Sequence, residues 1–190
     1  MIGGLGGVGA LLCQHLLQRF GARLTVVGRG PADAGGPRAQ TLAYLTAQAG
    51  SRAGASIEYR QADATDPAAL TAVVGDTAFD AVFALLGEGT IVEQIDALMA
   101  GATEDDREAL RRAANRIRLS HSLDAALAAH PAPVVVFSSI NGFFGGAGFA
   151  HYAGACAYQA AHALRSDRGD LCLDWGMWQG VGLAAARRPS

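Results

Sequence analysis

Two groups of residues have the types and spacing to reduce a carbonyl. The first is Ser138-Ser139 at the end of the apolar run Val134 to Phe137, with Tyr152 following 13 residues after Ser139 at the start of a helical stretch. A serine at a strand end and a tyrosine on the next helix can converge on one carbonyl oxygen. The serine hydroxyl donates to that oxygen, and the tyrosine supplies a proton as hydride arrives from a cofactor. The second group is the opening run Gly3-Gly4-Leu5-Gly6-Gly7-Val8-Gly9, followed by an apolar helical segment. Glycines there permit a tight turn and let backbone N–H groups approach a pyrophosphate at a helix N-terminus. A glycine string alone is a weak signal, and a flexible start is the plain alternative. The context adds to it: an apolar run comes next and ends in Gly28-Arg29. A dinucleotide fold places its ribose reader there, about 20 residues after the last glycine. An acidic residue would accept from the ribose 2′-hydroxyl, whereas an arginine can meet a 2′-phosphate, so Arg29 favours NADPH over NADH. The alternative is an ordinary surface arginine.

The elements that must position these groups alternate along the chain. Candidate strands are Leu24 to Val27, Ile57 to Gln61, Asp80 to Leu86, Val134 to Phe137 and Leu171 to Asp174. Between them lie segments of helical length: Gly9 to Phe20, Ala39 to Ala49, Pro67 to Val74, Arg107 to His130 and Tyr152 to Leu164. Short continuous apolar strands alternating with helices predict an α/β fold, a Rossmann-like doubly wound parallel sheet with helices on both faces. Its binding crevice lies beyond the carboxyl ends of the strands. The strand before the glycine loop should be the central one, yet only Met1-Ile2 precede Gly3, so the first strand is largely missing. The chain is a fragment, or another segment fills the gap, or the sheet has a hole with two unpaired edges, which is costly. A truncated fragment or a misplaced start is the expectation. Gly30 to Pro37 reads as a loop, and Glu88 to Asp106 is ambiguous, since residues 90–101 could be helical.

Composition narrows the function classes. The chain has 190 residues, 51% hydrophobic and 17% charged, with a net charge of −2. That excludes wholesale disorder, gives no electrostatic reason to expect nucleic acid, and leaves no apolar run of the roughly 18 residues that suggest a membrane span. One domain over residues 1–183 is expected, with residues 184–190 as a frayed tail. The start lacks the pattern of a signal peptide. Cys13, Cys156 and Cys172 are too few and too scattered for a disulfide framework, so a reduced, cytoplasmic setting is expected. Cys13 sits in an apolar helix and reads as core. The five histidines show no ligand spacing, and Glu104-Asp105-Asp106 reads as a solvated helix start, so no metal site is expected. All 15 basic residues are arginines. No mechanism can draw an ε-amine from this chain.

The run FSSINGFFGGAGFAHYAGACAY, with GGLGGVG, VVGR, QADATD and LDWGMW, resembles the ketoreductase domains of modular polyketide synthases, members of the short-chain dehydrogenase/reductase superfamily. The resemblance runs from Gly3 to about Leu183. It implies reduction by NADPH of a β-ketoacyl thioester on an acyl carrier protein to the β-hydroxyacyl product, alongside other synthase domains. It implies Ser139 as the group orienting the carbonyl and Tyr152 as proton donor. The cofactor set it implies is Gly3, Leu5, Gly6, Gly7, Val8, Gly9, Arg29, Asp63, Ala64 and Gly87, with Arg29 on the 2′-phosphate and Asp63 by the adenine. Trp175 and Trp178 match a segment behind the active site.

The departures carry as much. The family has a lysine 24 residues before the serine, which falls on Asn115 here, or on Ala113 with a longer connection. That lysine holds the nicotinamide ribose and lowers the tyrosine pKa from about 10. Arg112, Arg116 and Arg118 lie nearby, but a guanidinium has a different reach and cannot relay a proton. The family's asparagine four residues after the tyrosine is Cys156, and Leu86 adds bulk where the nicotinamide ribose belongs. Neither stereochemical signature of the family is present, and Phe143-Phe144 either shape an acyl groove or pack a loop. Three readings follow. The leading one is a ketoreductase domain with impaired or lost reduction. The alternatives are a working NADPH-dependent enzyme with a rearranged site using Asn115, Cys156 or a neighbouring arginine, and a non-catalytic structural or pairing module.

Overall fold

The computed structural model of the chain describes residues 1–32, 35–86, 106–146, 148, 150–178 and 180–181. The elements alternate as the apolar pattern requires. They are α1 (Gly7–Phe20), β1 (Arg23–Gly28), α2 (Pro37–Gly50), β2 (Ser56–Gln61), α3 (Pro67–Val74) and β3 (Val82–Ala84). After them come α4 (Asp106–Ala126), β4 (Val134–Ser139), the single turn α5 (Asn141–Phe144), α6 (Ala150–Leu164) and β5 (Leu171–Trp175). Pro37 and Pro67 open α2 and α3, where a missing N–H removes only a group that lacks an intrahelical partner. At α3 the Asp66 carboxylate also accepts from the amides of Ala68 and Ala69, at 2.9 and 3.3 Å. The ambiguous segment at 88–106 falls almost wholly outside the described residues, with only its last position opening α4. The predicted tail and Gly87 also lie outside them. Ser138 and Ser139 belong to β4 itself rather than to the loop beyond it.

Among the described residues all the strand pairs are parallel: β1 with β2, β3 with β4, and β4 with β5. The expected gap between β1 and β3 is occupied by Met1 and Ile2. Ile2 bridges both Val27 and Ala84. On one side Val27 donates to the Met1 carbonyl at 2.8 Å and Gly3 to the Val27 carbonyl at 3.1 Å. On the other, Ile2 donates to the Phe83 carbonyl at 2.8 Å and Leu85 to the Ile2 carbonyl at 2.9 Å. The order is therefore β2-β1-(Met1-Ile2)-β3-β4-β5. Two residues suffice to satisfy both flanking edges where they would otherwise be buried and unpaired, so the sheet has no hole at this point.

Successive side chains leave a strand on opposite faces, and the neighbours Val26 and Val27 show it. Val26 enters a core with Cys13 and Leu17 of α1 and Leu45 and Ala49 of α2. Val27 enters the larger core on the other face, with Ile2, Leu70 and Val74 of α3, Leu119 and Leu123 of α4, and Val134 and Val136 of β4. Helix α6 packs on α4, β4 and β5. Among the described residues no helix is long and apolar enough to cross a membrane.

Candidate active site

A cleft of about 880 Å³ opens at the carboxyl ends of the strands, where the sheet order reverses about Met1-Ile2. Gly3, Leu5, Gly6, Gly7, Val8, Gly9, Arg29, Asp63, Ala64, Ser139 and Tyr152 all line it. So do Trp175 and Trp178, whose rings lie 4.7 Å apart. Residues more than a hundred positions apart in sequence thus border one space, within the range usual for small-molecule sites.

The glycine loop has a steric reason for its composition. Gly3 has φ +80°, and a Cβ there would overlap the Leu85 carbonyl oxygen of the chain leaving β3. A Cβ on Gly9 would overlap the Gly3 carbonyl. Both glycines let α1 start hard against the sheet. Its N-cap is Gly6, with no side-chain cap, and its first residues border the cleft, so donor groups at the positive end of the helix are turned to the space. These features fit a dinucleotide pyrophosphate. At the other end Arg29 and Arg38 both line the cleft. Tyr59 donates to the Gly30 carbonyl and Gln61 to the Arg29 carbonyl at 3.0 Å, so β2 fixes the backbone that carries Arg29. Asp63 closes a turn with Thr65, accepting from its amide at 2.9 Å and its hydroxyl at 2.8 Å. Burial raises the Asp63 pKa, but the Thr65 bonds and the Arg29 charge outweigh it and hold the carboxyl below its usual range. Arg38 was not singled out from the sequence. Its signal was its place directly after Pro37, at the start of the helix that follows the Arg29 loop.

At the opposite end the spacing along α6 does the positioning. Tyr152, Cys156, Gln159 and Ala163 recur at helical intervals, and Cys156, Gln159 and Ala163 are buried. The side chains of Ser139 and Cys156 both reach the Tyr152 hydroxyl. Ser139 also accepts from the Asn141 amide at 3.3 Å, which fixes its hydroxyl at the base of α5. Neither Asn115 nor Ala113 lines the cleft. Both are buried in α4, and Asn115 accepts a long 3.4 Å bond from Arg118. The neighbouring residue Arg116 does line it. Its guanidinium carbon lies 4.8 Å from the centre of the Tyr152 ring, and Nη1 donates to the fully buried Gln159 at 3.1 Å. Burial raises the Tyr152 pKa. Arg116 and the Ser139 bond pull it back, Cys156 pushes it up, and the phenol stays above its ordinary value.

Leu85 and Leu86 border the cleft, and Leu86 also packs on the larger core. Phe143 and Phe144 neither pack under a loop nor line the cleft; they are 83% and 76% exposed and stack edge to face.

A model of the KR domain family matches residues 1–180. Polyketide synthase ThaG of Burkholderia thailandensis is 34% identical over 97% of this chain, and erythronolide synthase EryA3 of Saccharopolyspora erythraea is 32% identical over 96%. The chain spans 3% and 6% of the length of those two proteins. Among solved structures, a keto acid-selecting NRPS module with adenylation, ketoreductase and pseudo Asub domains superposes with a TM-score of 0.70, covering 90% of this chain and 14% of that one at 22% identity. A short-chain dehydrogenase from Sphingobium yanoikuyae, solved in complex with NADPH, gives 0.57 over 86% of this chain and 61% of that one, also at 22% identity. These structural likenesses establish the fold, a Rossmann-like α/β sheet.

Proposed function

This chain belongs to the KR domain family of polyketide synthases, whose reaction is ketoreduction, and on that premise we propose that it binds NADPH and reduces a β-ketoacyl thioester on an acyl carrier protein, at a much reduced rate. The observation that carries this reading is the setting of Tyr152. It stands with Ser139 as the reaction requires, but a guanidinium above its ring replaces an amine beside its hydroxyl.

The adenosine end of the site supports NADPH. Arg29 and Arg38 give two cations that would meet a 2′-phosphate, Asp63 and Ala64 would border the adenine, and Gly3, Leu5, Gly6, Gly7, Val8 and Gly9 would cradle the pyrophosphate, all of them lining the cleft. When bound, the nicotinamide supplies hydride. The chain's own residues handle the oxygen. Ser139 donates a hydrogen bond to the substrate carbonyl, and Tyr152 passes its proton to that oxygen as negative charge develops there. Trp175, Met177, Trp178 and Ile140 offer an apolar wall for the acyl chain. A cytoplasmic setting agrees with Cys13, Cys156 and Cys172 all being free thiols.

The weakness lies in proton delivery. A phenol held above its ordinary pKa is a poor acid, and Arg116 cannot shuttle a replacement proton as an amine can. Losing that help costs on the order of 10² to 10⁴ in rate. The test follows nicotinamide absorbance with a β-ketoacyl thioester, alongside NADPH binding by fluorescence, for the natural chain and Tyr152→Phe. Saturable NADPH binding with slow, Tyr152-dependent turnover is expected. Turnover as fast as that of a lysine-bearing ketoreductase domain would instead make Arg116 a full replacement. Absence of NADPH binding in folded protein would favour the pairing-module reading.

A further inference from the structure

Away from the cleft, α4 and α6 meet again through a second set of polar side chains. His121 and Asp124 stand three residues apart on α4 and so share a face. Tyr158 and His162 stand four apart on α6 and share the face opposite. His162 Nε2 lies 2.9 Å from Asp124 Oδ2, and the Tyr158 hydroxyl lies 2.9 Å from His121 Nε2. The His121 and His162 rings are edge to face at 6.0 Å. One ligand atom each from His121, Asp124 and His162 lie within 4.8 Å of one another. No ligand spacing marks this cluster along the chain, because the two histidines are 41 positions apart.

We propose that His121, Asp124 and His162 form a binding site for one first-row divalent cation of the zinc type, clipping α4 to α6. The donor set is two imidazoles and one carboxylate, which suits zinc and its neighbours better than calcium or magnesium. Metal–ligand distances of about 2.0–2.1 Å in a tetrahedron place ligand atoms about 3.3 Å apart. His162 and Asp124 are slightly closer than that and need only part to admit the ion, while His121 swings inward. His121 is exposed and so has room to move.

The surrounding shell supports the site. Asp124 uses Oδ2 toward His162, while Oδ1 accepts from Arg168 Nη1 at 2.8 Å. The carboxylate is thereby held with one oxygen turned to the imidazoles. Arg168 does not cancel the charge a cation needs. Its guanidinium is already paired with Asp170 at 2.7 Å, a carboxylate 3% exposed that also accepts from the Val134 amide at 2.9 Å. Asp124, Arg168 and Asp170 together leave one net negative charge beside two imidazoles. The fourth position opens to solvent, where water can complete the tetrahedron. The same two helices carry Arg116 and Tyr152, so a clip at this level would also steady that pair.

The experiment titrates Zn²⁺ into the untagged full chain by calorimetry, with Co²⁺ absorption reporting coordination number, and follows thermal unfolding with and without metal. One ion per chain, a tetrahedral Co²⁺ spectrum and a raised Tm are expected. His121→Ala, at an exposed position, should weaken binding at least tenfold and abolish the Tm shift while leaving the metal-free Tm and NADPH binding unchanged. His162→Gln should do the same. Cys172→Ser guards against thiol binding and should change nothing. Failure to bind Zn²⁺, or binding that survives both histidine variants or is lost in Cys172→Ser, overturns the proposal. None of these outcomes depends on whether the cleft reduces a ketone.

Discussion

In the proposed reaction, proton donation by Tyr152 depends on how firmly the phenol holds its proton. Burial raises its pKa, and the Arg116 charge over the ring is the largest opposing influence. Removing that charge with Arg116→Gln should raise the pKa further. Each pKa unit gained withholds at most about 1.4 kcal/mol from proton donation, so ketoreduction should slow, by no more than about tenfold per unit. NADPH affinity should change little, since Arg29 and Arg38 sit at the other end of the cleft. The sign of the pH dependence follows from the same shift. The donor must be protonated, and its pKa lies above the ordinary phenol value of about 10. Reduction should therefore stay flat through neutral and mildly alkaline pH and fall only above that value. A rate that declines between pH 7 and 9 in folded protein would contradict the shift. Ser139, Tyr152 and the glycine loop were legible in the sequence because their roles follow from position relative to one strand end. Arg116 was legible only as one of three nearby arginines, and Arg38 and His162 not at all, because their places depend on which face of a helix turns toward the cleft or the neighbouring helix. A count back from Ser139 reaches Asn115; only the packing of α4 shows that the next residue enters the site.

Most elements were read nearly to their ends, since a parallel sheet covered on both faces writes strands as short apolar runs, but the run Asp80 to Leu86 is a strand only over Val82–Ala84, and the helix expected to reach His130 ends at Ala126. What the pattern missed was local. The turn α5 has no apolar periodicity of its own, and β4 runs on through two serines because its backbone bonds to β5 continue to Trp175. The join between the glycine loop and α1 can be tested directly. A Cβ at Gly9 would overlap the Gly3 carbonyl and crowd the Gly4 backbone, whereas one at Gly6 meets nothing within 4 Å. Gly9→Ala should force α1 away from the loop, costing about 1–3 kcal/mol as overpacking does. NADPH affinity should drop about tenfold or more as the amides move, roughly one lost hydrogen bond to a charged group. Gly6→Ala meets open space and weakens only the N-cap, so it should cost no more than about 0.5 kcal/mol by urea unfolding, which makes it the matched control. Equal effects of the two would mean that the close approach does not set the loop.

At the scale of the whole molecule, the sheet is two parts joined by two residues. One part holds β1 and β2 over the Cys13–Leu17–Leu45 core; the other holds β3, β4 and β5 over the core of α3 and α4. Ile2 bonds to both and is 4% exposed, and its side chain enters the larger core beside Val27 and Ala84. Val27 and Ala64 also cross into that core, so the parts share packing as well as hydrogen bonds. Two consequences follow, and they separate side chain from backbone. Ile2→Ala keeps the bridging amide and removes only buried volume, so it should cost about 2–4 kcal/mol with unfolding still in one step. Ile2→Pro removes the N–H that Phe83 accepts and so opens the seam toward β3. The two tryptophans, Trp175 and Trp178, both lie in or beyond β5, so their fluorescence reports on the second part alone, whereas far-ultraviolet circular dichroism reports on both. In Ile2→Ala the two signals should change together along a urea titration. In Ile2→Pro they should separate, because the cleft's glycine half and its Ser139–Tyr152 half would no longer unfold as one unit. Coincident transitions in the proline variant would show that shared packing around Val27, rather than the two-residue strand, holds the halves of the site in register.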